Sequence, residues 1–139
     1  MSKYVEAHFV TELTHNEDFQ KGNIEAALEQ TFCRMDEMLQ TPEGVNELNE
    51  IRRKYQGEGN NAGCTANVLV FDDENYYVAN SGDSRCALSR GGKLVTLSED
   101  HKPECNIEKT RIERAGGVIM NGRVNGGLNL TRAIGIFHF

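Results

Sequence analysis

Residues 63–85 read GCTANVLVFDDENYYVANSGDSR, and this stretch decides the fold class. Residues 65–71 (TANVLVF) and 76–80 (YYVAN) are short, apolar and rich in β-branched and aromatic types. Asp72-Asp73-Glu74-Asn75 between them is a polar loop. Two such runs across a short polar connection predict a β-hairpin. Ser81-Gly82-Asp83-Ser84 reads as the next turn and residues 85–90 as a third strand. Arg90-Gly91-Gly92-Lys93 then turns the chain into residues 94–97. The spacing predicts about four strands in a meander. Both faces of these strands carry apolar residues, so each is expected to pack on another sheet or on helices.

Working towards the N-terminus, the pattern becomes helical before residues 56–63 (QGEGNNAG). Val5, Phe9 and Leu13 recur every fourth residue, the mark of a helix packed on one side. Asn23 is a candidate N-cap for a second helix, whose inner stripe is Ile24, Leu28, Met35 and Leu39, widened by Ala27, Phe32 and Met38. Thr41-Pro42-Glu43 reads as cap, first-turn proline and first-turn acid of a third, with Val45, Leu48 and Ile51 inside. Arg52, Arg53 and Lys54 suit the negative end of its dipole.

Towards the C-terminus, a further helix is expected to start at Pro103 and to use Ile107, Arg111, Ile112 and Ala115. Gly116-Gly117 would end it in a left-handed cap. Asn121-Gly122, between residues 118–120 and 123–124, is a strong two-residue hairpin signal.

The chain has 139 residues, a length that predicts one domain, with a helical part at about 1–55 and a strand-rich part at about 64–139. Its 15 basic and 21 acidic residues leave a formal charge of -6. That balance argues against a nucleic-acid partner, because neutralising phosphates needs a basic face. No apolar run approaches the roughly 20 residues of a membrane span, and residues 1–13 carry no secretory core. The expected location is cytoplasmic or nuclear. Cys33, Cys64, Cys86 and Cys105 form no CxxC pair and no zinc-type cluster, so they read as buried or half-buried thiols in a reducing compartment.

Chemistry concentrates in two segments. In Asn80-Ser81-Gly82-Asp83-Ser84-Arg85, a turn can project the Asp83 carboxylate beyond the sheet edge, where Mg²⁺ or Mn²⁺ would accept it as a ligand. The competing role is a local turn hydrogen bond, the commoner use of an acid beside glycine. In Asp100-His101-Lys102-Pro103, His101 could move a proton with Asp100 orienting it. The competing role is a turn leading into a helix, and this is favoured because no Ser or Cys is placed as a nucleophile. His8, His15 and His138 stand alone. Neither GxxxxGK[ST] nor GxGxxG after a strand is present. Arg132 could be a buried structural cation or the partner of a distant acid, and spacing does not choose between them.

Taken in order, these blocks resemble one family. They are Gly63-Cys64-Thr65-Ala66, the strand pair leading to Ser81-Gly82-Asp83-Ser84-Arg85, Asp100-His101-Lys102-Pro103, Arg111-Ile112 with Ala115-Gly116-Gly117, and Arg123-Val124-Asn125-Gly126 with Leu130-Thr131-Arg132-Ala133-Ile134-Gly135. Residues 25–41 (EAALEQTFCRMDEMLQT) look similar too. The chain resembles the metal-dependent protein serine/threonine phosphatases, type 2C or PPM, over about residues 2–135. The resemblance implies an α+β fold: two largely antiparallel sheets face to face, with helices outside, in an α-β-β-α sandwich. It implies Mg²⁺ or Mn²⁺ between the sheets, phosphoserine or phosphothreonine proteins as substrates, and hydrolysis by a metal-activated water.

The departures shape the expectation. The family's Asp-Gly-His-Gly-Gly motif should lie just before the first helix, and its phosphate-binding arginine further upstream. Its Asp-Gly-x-Trp-Asp block and final Asp-Asn pair should follow Gly135, yet the sequence contains no Trp. Ile136 stands where the family usually has Asp. Only Asp83 carries over as a metal-site residue, at the position of an additional, weakly bound ion; no catalytic residue carries over. The expectation is therefore a central part of a phosphatase domain, inactive alone, with interior strands left as edges and an apolar sheet face left uncovered, prone to self-association. The alternative is a pseudophosphatase-like binding or regulatory module.

Overall fold

The computed structural model describes residues 1–55 and 62–137. The expectations that fall on residues 56–61, on His138 and on Phe139 lie outside them.

Four helices open the chain: α1 (Ser2–His15), α2 (Glu17–Gln20), α3 (Ile24–Leu39) and α4 (Pro42–Lys54). The expected stripes form their core. Tyr4, Val5, Phe9 and Leu13 of α1 bury against Ala27, Leu28, Met35 and Leu39 of α3 and Leu48 of α4. Thr41 caps α4 as read, its Oγ1 accepting the Gly44 N–H at 3.0 Å, with Pro42 opening the helix. Three helical details differ. The short α2 escaped the periodicity because it spans little more than one turn; Asn16 caps it by accepting from the Asp18 and Phe19 N–H groups. Asn23 stands at the N-cap of α3 but turns its amide to Asp18 at 2.9 Å instead of capping. Val45, expected inside, is exposed.

β1 (Ala66–Phe71) and β2 (Tyr76–Ser81) form the expected hairpin, in register Val68 opposite Ala79 and Leu69 opposite Val78. Asp72 shapes its loop by accepting the Glu74 and Asn75 N–H groups at 2.8 and 2.7 Å. β3 (Ala87–Arg90) and β4 (Lys93–Thr96) form a separate hairpin. The expected meander is thus divided: among the described residues β2 pairs with β1 alone, and the 81–86 turn carries the chain away from that sheet. Alternation assigns the two faces of the first hairpin. Ala66, Val68, Val70, Tyr77 and Ala79 pack on the helical core. The opposite face presents Leu69, Phe71 and Tyr76, exposed by 44%, 68% and 58%. Among the described residues that face is therefore only partly covered: Ser98 bonds Asn67 at 3.3 Å and the Glu99 carbonyl accepts from Asn80 at 2.8 Å at one end, while Leu69, Phe71 and Tyr76 lie open at the other.

α5 (Asn106–Arg114) begins three residues beyond Pro103, which is itself buried in the preceding turn. Gly116 follows with φ +84°, the left-handed cap expected there. β5 (Ile119–Met120) and β6 (Arg123–Val124) close over Asn121-Gly122, with φ of 52° and 69°. The chain then returns to the first hairpin, where Cys64 and Ile134 exchange both backbone bonds at 3.0 and 2.9 Å. The Asp36 carboxylate of α3 accepts the Gly135 N–H at 2.7 Å, tying this return to the helical core. The four thiols are unpaired; three are half-buried as expected, but Cys33 is exposed on α3.

Candidate functional site

The 81–86 turn leaves the end of β2 at Gly82, whose φ is +113°. A Cβ there would also fall within 2.4 Å of the Thr65 methyl, so both conformation and space demand glycine. Residues 99–102 dock along this turn. The Gly82 carbonyl accepts the His101 N–H at 3.0 Å, and the Gly82 N–H donates to His101 Nδ1 at 3.1 Å. His101 therefore carries its proton on Nε2. Burial pushes its pKa down and nearby Arg132 adds to this, so the ring is a neutral hydrogen-bond acceptor at physiological pH. The Asn80 amide donates to the Gly82 and Glu99 carbonyls at 3.0 and 2.8 Å. The Thr65 and Ser84 hydroxyls lie 2.7 Å apart. The structural role expected for His101 is the one its hydrogen bonds describe.

Two ion pairs cross between these segments. Asp83 Oδ2 receives the Lys102 ammonium at 2.5 Å. Arg85 donates to both oxygens of Asp100 at 2.9 Å each. Each segment thus carries an acid and, two residues later, a base, and each acid is met by the base of the other. The Arg85 bonds hold the Asp100 carboxyl below its usual range, and the bond to Asp83 raises the Lys102 pKa. Asp100 therefore orients Arg85 rather than His101.

The strongest electrostatic anchor is a residue the sequence reading missed. Glu108 of α5 is 2% exposed. It receives Arg132 at 2.6 to 3.1 Å, the Thr131 hydroxyl at 2.8 Å and Arg111 at 2.9 Å. Burial alone would raise its pKa, but the bonds from Arg132, Thr131 and Arg111 outweigh it and bring the value to about 2. Arg132 is thereby assigned: it is the partner of a distant acid. The signal lay in helical phase. Ile112 faces inward, and the residue one turn before it is Glu108, whereas Ile107, expected inside, is 72% exposed. His8 bonds Glu47 at 2.8 Å and His15 bonds its own helix at the Thr11 carbonyl, so neither approaches the turn.

A cavity of about 1080 Å³ lies beside β2, bounded by Phe32 and Asp36 of α3 and by Arg111, Leu128 and Arg132; Asp83 does not line it. Asp83 stands instead among Lys102, Arg85 and Asp100. Among the described residues, no three His, Cys, Asp or Glu side chains converge as a metal-binding group. The described residues therefore do not make up a divalent-metal site by themselves. No helix among the described residues is long and apolar enough to cross a membrane.

Comparison with known proteins identifies the architecture. The family model described as Protein phosphatase 2C matches residues 1–139. The chain belongs to the protein phosphatase 2C family. It is 50% identical over 135 residues to a Paramecium tetraurelia protein named "Probable protein phosphatase 2C 3", covering 97% of this chain and 45% of that one. It is 36% identical to the Arabidopsis thaliana "Probable protein phosphatase 2C 21", covering 100% of this chain and 49% of that one. The chain thus spans about half the length of the curated relatives it matches. Among solved structures, "Structure of a C.elegans sex determining protein" superposes with a TM-score of 0.62 at 26% identity, over 96% of this chain and 32% of that one. A phosphatase from Toxoplasma gondii matches with a TM-score of 0.52 at 23% identity, over 96% of this chain and 52% of that one, a likeness of fold. The α+β class and the family read from the ordered motifs both stand.

Proposed function

We propose that this chain is a scaffold-bearing part of a Mg²⁺- or Mn²⁺-dependent protein serine/threonine phosphatase. It would act on phosphoserine or phosphothreonine proteins when completed, and would not hydrolyse them alone. The family match along residues 1–139 carries the reading. Asp83 is its metal-facing residue, at the position of a weakly held additional ion. Hydrolysis in such a phosphatase draws on divalent ions, and one carboxylate cannot hold a pair of them. No reaction step is therefore assigned to residues of this chain. What they supply is support: β2 ends in the turn that carries Asp83, residues 99–102 brace that turn, and Glu108 fixes Thr131 and Arg132 behind it.

The test is hydrolysis of a phosphothreonine peptide by the purified chain with Mn²⁺. Turnover at background level, unchanged by EDTA, is expected. Turnover that survives stringent purification and disappears with EDTA would contradict the reading and point to a complete site assembled between copies.

A further inference from the structure

The first hairpin has an unused edge. The Asp72 N–H donates to the Asn75 carbonyl at 3.1 Å, so bonded pairs recur at Val70/Tyr77, Val68/Ala79 and Ala66/Ser81. The backbone N–H and C=O groups of Tyr76, Val78 and Asn80 therefore point away from β1. Gly82, next in that phase, gives both of its groups to His101. Short of His101 the edge is open, since among the described residues β2 pairs with β1 alone. The cavity of about 1080 Å³ runs along this edge, lined by all six residues of β2 and by His101. A strand of that length needs a slot about 20 Å long, 4.8 Å wide and 10 Å deep, or roughly 1000 Å³. The space matches one added strand. Its walls set the chemistry of the occupant. Glu25 and Glu29 of α3 line the cavity, and among the described residues neither meets a cation. Arg111 and Arg132 on the opposite wall are already engaged by Glu108.

We propose that this trough docks an extended basic segment of another protein, added to β2 as a third strand. Residues directly opposite one another share a face of a sheet. The occupant's residues that bond Val78 and Asn80 therefore face away from the helices. Those between them face α3, where basic side chains meet Glu25 and Glu29 and lay their apolar stems over Phe32. A second copy is a poor occupant, because its own β2 lies at the floor of the same trough. Docking here requires no catalysis, so it stands apart from the phosphatase reading.

The experiment uses the whole chain and an amidated peptide as long as β2, alternating lysine and valine, with fluorescein at its N-terminus. Anisotropy at low ionic strength is expected to show saturable binding, and NMR to show slowed exchange of the Val78 and Asn80 amides. Glu25→Gln with Glu29→Gln, both at exposed helix positions, is expected to weaken binding about fivefold, the scale of two exposed ion pairs. N-methylation of the peptide's valine amides, which face β2, is expected to weaken it more than about tenfold. N-methylation of its lysine amides, which face away, is expected to change it less than about twofold. Absence of binding, or equal effects of the two methylations, would overturn the added strand. Equal binding of a glutamate–valine peptide would overturn the basic occupant. Protection of Val78 and Asn80 that grows with chain concentration, without peptide, would give the edge to a second copy and overturn the proposal.

Discussion

In residues 1–55, three helices meet through Tyr4, Val5, Phe9, Leu13, Leu28, Met35 and Leu48, all buried aliphatic or aromatic side chains. In residues 81–132, segments meet through Glu108 with Arg132, Arg111 and Thr131, through Asp83 with Lys102, and through Arg85 with Asp100. Beside this polar stitching, Leu69, Phe71 and Tyr76 remain open to water. The first region is closed by apolar burial, which is non-directional and tolerates small shifts. The second has fewer buried apolar side chains, Pro103, Ile112 and Val124 among them, and relies more on directional bonds, which fix the turns sharply. The helical layer is thus the better-buried part of the described structure, and the outer end of the first hairpin the more exposed.

The largest expected effect is therefore in the helical layer. Met35 of α3 is fully buried in the core that the helices share with the first hairpin. Met35→Ala is expected to cost about 2–5 kcal/mol in urea unfolding, the range for truncating a buried long aliphatic side chain. A loss near zero would mean that this layer is not the one that holds the chain together.

Next in size is Glu108→Gln, expected to cost about 2–3 kcal/mol at neutral pH, since one pKa unit corresponds to about 1.4 kcal/mol and the half-exposed arginines screen part of the shift. The sign follows from a carboxyl lowered from 4.5 to about 2 on folding. Its contribution is complete above about pH 4.5 and is lost as pH falls toward about 2. Stability measured across that window should slope less steeply in Glu108→Gln than in the unsubstituted chain, the remaining slope coming from other lowered carboxyls such as Asp100. Parallel slopes would remove Glu108 from its place as the anchor of the second region.

The smallest change in stability is expected from Leu69→Thr with Phe71→Thr on the uncovered face. These side chains rest largely in water, so unfolding should move by less than about 1 kcal/mol. We propose that this exposed apolar patch promotes self-association, which is then expected to fall clearly in the double variant. Sedimentation velocity reads this directly, and unchanged association would place the sticky surface elsewhere.

How much was legible follows from the same contrast. The helical stripes repeat over many residues, so Leu28, Met35, Leu39 and Leu48 could be assigned inside without knowing their partners. Val45 was misplaced because it lies one residue off the face that Leu48 and Gly44 bury. The hairpins at residues 66–81 and 119–124 were legible through turn chemistry, which is local. The division between β2 and β3 was not, because it depends on residues 99–102 docking on Gly82. Nor was Glu108, which reads as a surface acid until Ile112 fixes the phase of α5 and Arg132 arrives from a segment far along the chain. Asp83 could be singled out from its turn, but its pairing with Lys102 required the crossed geometry.

Native-state hydrogen exchange, joined to size-exclusion chromatography, tests the central contrast most directly. The account predicts a helical layer with strong amide protection in α1 and α3, weaker protection across residues 66–96, and elution that shifts with concentration as uncovered faces meet. A monodisperse monomer in which residues 66–96 are protected as strongly as α1 and α3 would contradict it, by showing that the strand region closes a core unaided.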